Sequence, residues 1–468
     1  MSREEKLVKN TGILAIGIFF PKLAIFVALP ILTALLSKAE YGVYDLTITM
    51  VSLVLPVATL QIQSAAFRFL LDVRDNVNEK KKIITNIYVF VFAVSFIALI
   101  VTFLILTLLR QPIMIRFGIC FYYLFDIIAN VNRQIIRGLL KNVDYAISSI
   151  ISGVGQLLLI GIMVVRLKTG LIGCLVALSV AELFSMMYLF LHGKIFNYID
   201  VKELDKSIVS EMLSYSWPMV PNSLSQWVIH ASDRIVITSF LGVEANAVYS
   251  VAYKIPSILS LAQTTFNMSW QESASIALDD SDAGEYYSKM FTWLLNCVAG
   301  MMAVLIGLTP LLFKLFVRGD YSAAYNQIPI LFMGIFLLCL STFWGGIFVA
   351  AKQTKAVGTT TVIAAIINVS FNLLAVRSIG LYAGSISSFL AYFIMCILRA
   401  IRIQKIIKIK YNYFQICVVG SIFILQCFVC FKKSFYLNSI NLAIGFVTCI
   451  ILNRKLIRAI LFKLRIMK

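Results

Sequence analysis

The sequence is poor in charge. Only 13% of its 468 residues are Asp, Glu, Lys or Arg, while 60% are hydrophobic. A water-soluble globular domain carries about 25% charged and about 45–50% apolar residues. The shortage excludes a soluble enzyme or binding module and leaves an integral membrane protein. Alternating ten-residue segments are missing, which excludes a transmembrane barrel. Long polar insertions are missing too. The longest stretches between apolar runs, around 193–212 and 269–287, hold at most a short surface helix, so there is no room for a separate soluble catalytic domain. The opening "MSREEKLVKN" leads into an apolar run without a small-residue cleavage pattern, and that run is expected to be a mature helix rather than a removed signal. The nine cysteines lie in or beside apolar runs and imply no disulfide framework. Cys427 and Cys430 in "CFVC" read as one turn of a lipid-embedded helix rather than a metal or redox pair.

What is present is a series of apolar runs of about 20 residues, the length that crosses about 30 Å of hydrocarbon as a helix. Fourteen helices are predicted, over 11–36, 41–70, 83–109, 113–140, 142–166, 171–192, 213–240, 245–268, 288–317, 326–350, 355–376, 380–403, 412–431 and 437–456. The net charge of +19 does not point to nucleic acid, because the bases cluster between apolar runs. With the N-terminus in the cytoplasm, most of the 41 basic residues fall in cytoplasmic segments. Both termini are therefore expected inside, although this places the acidic stretch 269–288 inside as well.

Two internal matches suggest a repeat. At a shift of 205, "LTALLSKAEYGVYDLTITM" aligns with "ITSFLGVEANAVYSVAYKI", pairing Thr33 with Thr238, Leu36 with Leu241 and Tyr44 with Tyr249. At a shift of 210, Gly170 aligns with Gly380. Six helices then match six in the same orientation, the parallel-repeat plan of transporters that work by alternating access. The expected fold is an all-α integral membrane protein of two pseudo-symmetric six-helix bundles around a central cleft, plus two C-terminal helices. The segments are a first bundle over 1–192, a cytoplasmic linker over 193–212, a second bundle over 213–410, and an extra helix pair with a basic tail over 411–468.

Ionisable residues at membrane depth are costly and mark cavities or partners. In the fourth predicted helix Tyr123, Asp126, Asn130, Arg133, Arg137 and Lys141 follow steps of three and four and share one stripe. They read as a polar cavity wall with an anion-attracting inner half, or as a helix end with snorkelling bases. Asp45, Thr49, Ser52, Pro56, Thr59 and Gln63 form a similar stripe in the second, which interhelical hydrogen bonding would also explain. In the seventh, Ser223, Gln226, His230 and Asp233 share a face with Arg234 beside it. In the eighth, Asn246, Ser250, Lys254 and Ser257 do the same. Asp233 and Arg234 could equally form a structural pair. Lys22, next to Pro21, and Lys254, near Pro256, have no acidic residue one helical turn away, and they read as anion-binding groups. Lys22, Arg133, Arg137, Arg234 and Lys254 slightly outnumber Asp45, Asp126, Glu182 and Asp233, a basic lean that suits an anionic head group such as a pyrophosphate.

Three stretches resemble bacterial polysaccharide flippases of the Wzx type, within the multidrug/oligosaccharidyl-lipid/polysaccharide exporter superfamily. They are "SDRIVITSFLGVEANAVYSVAYKIPSILSLAQTTFNMSWQESA", "LLSKAEYGVYDLTITMVSLVLPVATLQIQSAAFRF" and "AAKQTKAVGTTTVIAAIINVSFNLLAVRSIGLYAGSISSFLAYFI". The likeness spans residues 5–410. It implies a fourteen-helix exporter of the bacterial cytoplasmic membrane that breaks no covalent bond and uses no cofactor. It implies an undecaprenyl-pyrophosphate-linked oligosaccharide as substrate, for capsule, O-antigen or exopolysaccharide assembly, with a polysaccharide polymerase and chain-length machinery as possible partners beside the lipid bilayer. Lys22, Arg234 and Lys254 are the first candidates for the pyrophosphate, and Arg133, Arg137, Asn130 and Tyr123 complete the candidate pyrophosphate and glycan cavity. Asp45, Asp126, Glu182, His230 and Asp233 are the candidates for ion or proton coupling. A multidrug or cation antiporter and a flippase for the peptidoglycan lipid precursor are the alternatives within the superfamily. A membrane polysaccharide polymerase is the distant one, disfavoured by the short outer loops.

Overall fold

The computed structural model describes residues 3–73, 75–351, 353–432, 434–454 and 458. Its elements are helices: α1 (Arg3–Leu35), α2 (Lys38–Ala58), α3 (Ile62–Asp72), α4 (Val77–Leu108), α5 (Ile113–Gly138), α6 (Asn142–Ile160), α7 (Gly170–Leu191), α8 (Lys206–Ser216) and α9 (Val220–Leu241). They continue as α10 (Val243–Ile276), α11 (Ala283–Phe316), α12 (Ser322–Tyr325), α13 (Ile328–Ala350), α14 (Thr354–Ile379), α15 (Tyr382–Ile403), α16 (Tyr413–Phe431) and α17 (Phe435–Leu452). Among the described residues, eleven helical segments are long and apolar enough to cross a membrane, and Tyr436–Leu452 is a shorter apolar one. The more polar α9 and α10 cover the seventh and eighth expected spans.

Contacts divide the chain into two compact units, Met1–Trp227 and Val228–Lys468. Within the first, α5 and α6 both pack on α7, and α1 packs on α6. Within the second, α13 and α14 both pack on α15. The same three-helix arrangement therefore recurs in the order the internal matches imply. The glycine match recurs in backbone geometry: Gly170 enters α7 at φ +57° and Gly380 precedes α15 at φ +59°, a region closed to most side chains. Thr33 and Thr238 each return a hydroxyl to the carbonyl four residues back, at 2.9 and 2.6 Å.

The structure departs from the expected spans in two places. The helix expected over 41–70 is broken between α2 and α3, where Leu60 and Gln61 stand at φ +47° and +60°. Two successive non-glycine residues in this region cost of order 1–3 kcal/mol each. Polar groups at the break find partners nearby in sequence and far along the chain. Ser216 donates to the Leu60 carbonyl at 2.9 Å, Gln61 Nε2 to Ser223 Oγ at 2.7 Å, and Thr59 to Gln63 Oε1 at 2.7 Å. The loop expected over 269–287 is mostly helix, because α10 runs on to Ile276 and α11 starts at Ala283. Its Trp270 stacks on Phe343 at 4.4 Å and donates to the Phe343 carbonyl at 2.9 Å.

The segment 193–212 joins α7 to α8. It carries two short 3-10 turns and the start of α8, and it is stitched to the first turns of α4. Asn86 gives Nδ2 to the Glu203 carbonyl at 2.8 Å and takes the Asp205 amide at 2.9 Å. The Lys82 ammonium, 2.8 Å from Asp205, holds that carboxyl well below the usual carboxylate range.

The last two helices are joined to the second unit by close backbone approach. A Cβ on Gly307 of α11 would lie 2.7 Å from the Leu442 Cα, and one on Gly445 of α17 would lie 2.5 Å from the Ala303 carbonyl oxygen. Small residues let helices approach this way in membranes. Gln426 of α16 adds hydrogen bonds to the carbonyls of Ala303, at 3.1 Å, and Asn441, at 3.3 Å. Gly445→Val is expected to lower stability by about 1–3 kcal/mol through overpacking. Gly420→Ala, in open space, should leave it unchanged or slightly raised. Thermal unfolding of both variants in detergent checks this.

Candidate functional site

The polar stripe of α5 exists as a stripe, but it does not form one continuous wall. Tyr123 donates to the Thr47 carbonyl of α2 at 3.3 Å. Asn130 folds back on Asp126, with Nδ2 2.9 Å from both its carbonyl and its Oδ2. Arg133 reaches across to Glu182 of α7 in an ion pair, and its Nη2 also lies 3.1 Å from Ser185 Oγ. Ser152 of α6 donates to the other Glu182 oxygen, and Ser148 meets Ser185 at 2.8 Å. The paired side chains are only 12% and 10% exposed. Asp126, about two α5 turns before Arg133, is also buried. Arg133 thus pairs with Glu182 between α5 and α7, while Asp126 has Asn130 as its partner on α5.

Arg137 does not join that cluster. Its guanidinium lies over Phe67 at 4.8 Å and Tyr145 at 5.6 Å. Lys141 donates to the Gly193 carbonyl at 2.8 Å, as a helix-end base does. Asp45 is buried on α2 beside Tyr44, whose hydroxyl accepts from Gln156 of α6 at 3.0 Å. Lys22 stands exposed on α1, directly after Pro21.

In the second unit the central group is Asp233 of α9, which is 3% exposed. Its Oδ1 accepts from Asn372 at 2.9 Å and Ser387 at 3.2 Å, and its Oδ2 accepts from Tyr249 at 2.9 Å and from Ser388. Ser232 and Asn368 extend the network, 2.9 Å apart. α9, α10, α14 and α15 each contribute a donor or acceptor, and all four direct donors to the carboxylate are neutral. Arg234, one residue on, turns to the Tyr253 ring at 5.6 Å, so the two neighbours take different directions. Lys254 is half-buried on α10, where Ser257 donates to its carbonyl at 2.6 Å. The His230 side chain lies outside the described residues.

One charged residue of this unit reads in the sequence only as a topology base. Arg399 of α15 is 4% exposed. Its Nε reaches Thr360 Oγ1 at 3.1 Å, Nη1 the Ser341 carbonyl at 3.0 Å, and Nη2 Thr361 Oγ1 at 3.0 Å. The signal was available, since Ser385, Ser388, Tyr392 and Arg399 are spaced along one helix face. Cys427 and Cys430 have separate partners, the Pro329 carbonyl at 3.7 Å and Tyr325 at 3.2 Å, and all nine cysteines are free thiols.

Comparison with known proteins bears on what such a bundle does. The family model described as "Polysaccharide biosynthesis protein" matches residues 7–270. The chain belongs to this family. A second model, MatE, matches residues 218–374. Among solved structures this family member resembles the lipid II flippase MurJ in an inward closed conformation, with a TM-score of 0.71 at 13% identity, covering 96% of this chain and 99% of that one. It also resembles a multidrug resistance MATE family transporter of the MOP superfamily in its inward-facing conformation, with a TM-score of 0.60 at 14% identity over 82% and 98% of the two chains. The outward-facing conformation of such a transporter gives 0.56 at 16% identity over 85% and 95%. The comparison with curated proteins gives no match. At these identities the likeness establishes the fold, an all-α membrane fold of two pseudo-symmetric bundles.

The Arg133–Glu182 pair is suited to a double-mutant cycle. Removing one partner of a buried pair leaves an uncompensated charge and costs about 3–5 kcal/mol, whereas removing both costs far less. Arg133→Met and Glu182→Leu are each expected to destabilise strongly. The double variant should fall well short of their sum. Thermal unfolding of the four proteins in detergent measures the coupling.

Proposed function

We propose that this family member flips an undecaprenyl-pyrophosphate-linked oligosaccharide across the bacterial cytoplasmic membrane by alternating access, as a step in assembling a surface polysaccharide. The observation that carries the reading is the polysaccharide biosynthesis match over residues 7–270. The fold shared with the lipid II flippase MurJ supports it. Lys22, Arg234 and Lys254 are the groups assigned to the pyrophosphate. Arg133 and Arg137 are less suited, since the first is engaged by Glu182 and the second lies over two rings. Both termini lie in the cytoplasm on this reading.

Coupling to a cation falls to the buried acids. Asp126 is buried and hydrogen-bonded by the neutral Asn130, so on this reading a proton or metal cation compensates its charge. Asp233, whose donors among the described residues are neutral, has the same need. The degree of similarity to MurJ favours a second reading, a flippase for the peptidoglycan lipid precursor. The family match sets it below the first.

Proteoliposomes loaded in one leaflet with a short undecaprenyl-pyrophosphate sugar provide the test. Lys22→Ala and Lys254→Ala, matched to wild type in melting temperature, are expected to slow flipping about tenfold or more, the scale of a lost charge-assisted hydrogen bond. Unchanged flipping in both would remove the pyrophosphate from these lysines. An absence of flipping by wild type, with drug efflux in its place, would replace the reading by an antiporter. In the same assay, an unchanged rate after neutralising Asp126, Glu182, His230 and Asp233 together would end the coupling assignment.

A further inference from the structure

The two helices outside the repeat form, with α11, a groove of about 1020 Å³. Its chemistry is two-sided. Where α11 and α16 begin and α17 ends, it is lined by Lys289, Lys410 and Arg454, with Glu285 the one acid. Further along the helices its wall is apolar, with Trp293, Val418 and Ile451 left 41%, 40% and 61% exposed. Glu285 pairs with Lys289 at 2.8 Å, and Asp282 lies close enough to act on the same ammonium, so Lys410 and Arg454 supply most of the positive charge.

These bases sit on anchored backbone. The Lys410 amide donates to Ser288 Oγ of α11 at 2.9 Å. The turn before it is closed by Gln404, whose Nε2 reaches the Ile409 carbonyl at 2.7 Å and whose Oε1 takes the Ile409 amide at 3.2 Å. The next residue, Tyr411, packs edge-on against Phe291 at 4.9 Å and accepts from Trp344 at 3.0 Å. Arg454 follows Asn453, a buried residue whose Nδ2 reaches the Asn296 carbonyl at 3.0 Å. The charged end of the groove is therefore held in place from both sides.

We propose that this groove binds an anionic glycerophospholipid of the bilayer, with the phosphate at Lys289, Lys410 and Arg454 and the upper part of a chain along Trp293, Val418 and Ile451. Basic pockets between transmembrane helices select anionic head groups in this way. A free anion would use the bases but not the wall, and an apolar helix the wall but not the bases. The ligand is a resident lipid rather than the flipped substrate, and the site lies wholly within the second unit.

The test uses the full-length protein in neutral detergent, with retained lipid measured by native mass spectrometry. Wild type is expected to hold phosphatidylglycerol over phosphatidylcholine, and the preference should fall about fivefold for each base replaced by glutamine at Lys289, Lys410 and Arg454. A Lys289→Arg, Lys410→Arg variant should keep it. Equal retention of the two lipids by wild type, or an undiminished preference in the triple glutamine variant, would overturn the site. Displacement of the lipid by glycerol 3-phosphate at the same concentration as by phosphatidylglycerol would also overturn it, leaving an anion site alone. If the triple variant fails to fold, chain-brominated lipids still decide the matter. Brominated phosphatidylglycerol should quench wild-type tryptophan fluorescence more than brominated phosphatidylcholine does, and Trp293→Phe should abolish the difference. Equal quenching by the two lipids would refute the proposal.

Discussion

A charge inside hydrocarbon has to carry its own solvent. Water is absent there, so each ionic or backbone polar group must find its partners within the protein. The polar organisation of both units follows from this constraint. In the first unit, the guanidinium of Arg133 and the carboxylate of Glu182 solvate each other, and serine hydroxyls of α6 and α7 add to the shell. In the second unit the solution is different: Asp233 and Arg399 are each surrounded by neutral hydroxyls, amides and carbonyls. Related halves have thus dissolved their charges in two ways, one by pairing opposite signs and the other by building small polar cages around single charges.

The two solutions differ in what they permit. An ion pair in a low-dielectric setting is held tightly only while both members stay in register, and losing either is costly. A cage of neutral donors tolerates a change in the charge it encloses, because hydroxyls can turn and serve as acceptors instead of donors. Ser387, Ser388 and Tyr249 around Asp233 all have this freedom. For a protein that must visit more than one conformation, the cage is the more adaptable arrangement.

Much of this was legible in the sequence, for identifiable reasons. Apolar runs located the helices because the bilayer sets their length. The repeat emerged from Gly170 and Gly380, since a left-handed backbone position restricts the residue more tightly than a lipid-facing one does. The stripe from Asp126 to Arg133 was visible from its helical spacing. What the spacing could not supply was the partner across the bundle, Glu182, because nothing local ties α5 to α7. Arg399 reads in the sequence as a topology base because it lies near the end of its helix, where bases are common, and the hydroxyls that receive it belong to other helices. The break at Leu60 and Gln61 was hidden for a related reason. The usual sign of a break, glycine, is absent there, and the conformation is enforced by Ser216 and Ser223, more than 150 residues away.

That break has a mechanical consequence. The Leu60 carbonyl has lost its helical partner and is held by the Ser216 hydroxyl, at the end of a short helix that packs on α3 and α4. The segment leading into that helix is tied in turn to the first turns of α4. Displacement of the connecting segment would therefore reach the bend between α2 and α3 through the Ser216–Leu60 hydrogen bond and the packing of α8 on α3. What looks like a tether along the chain is also a transmission, with Leu60 as the point where it engages.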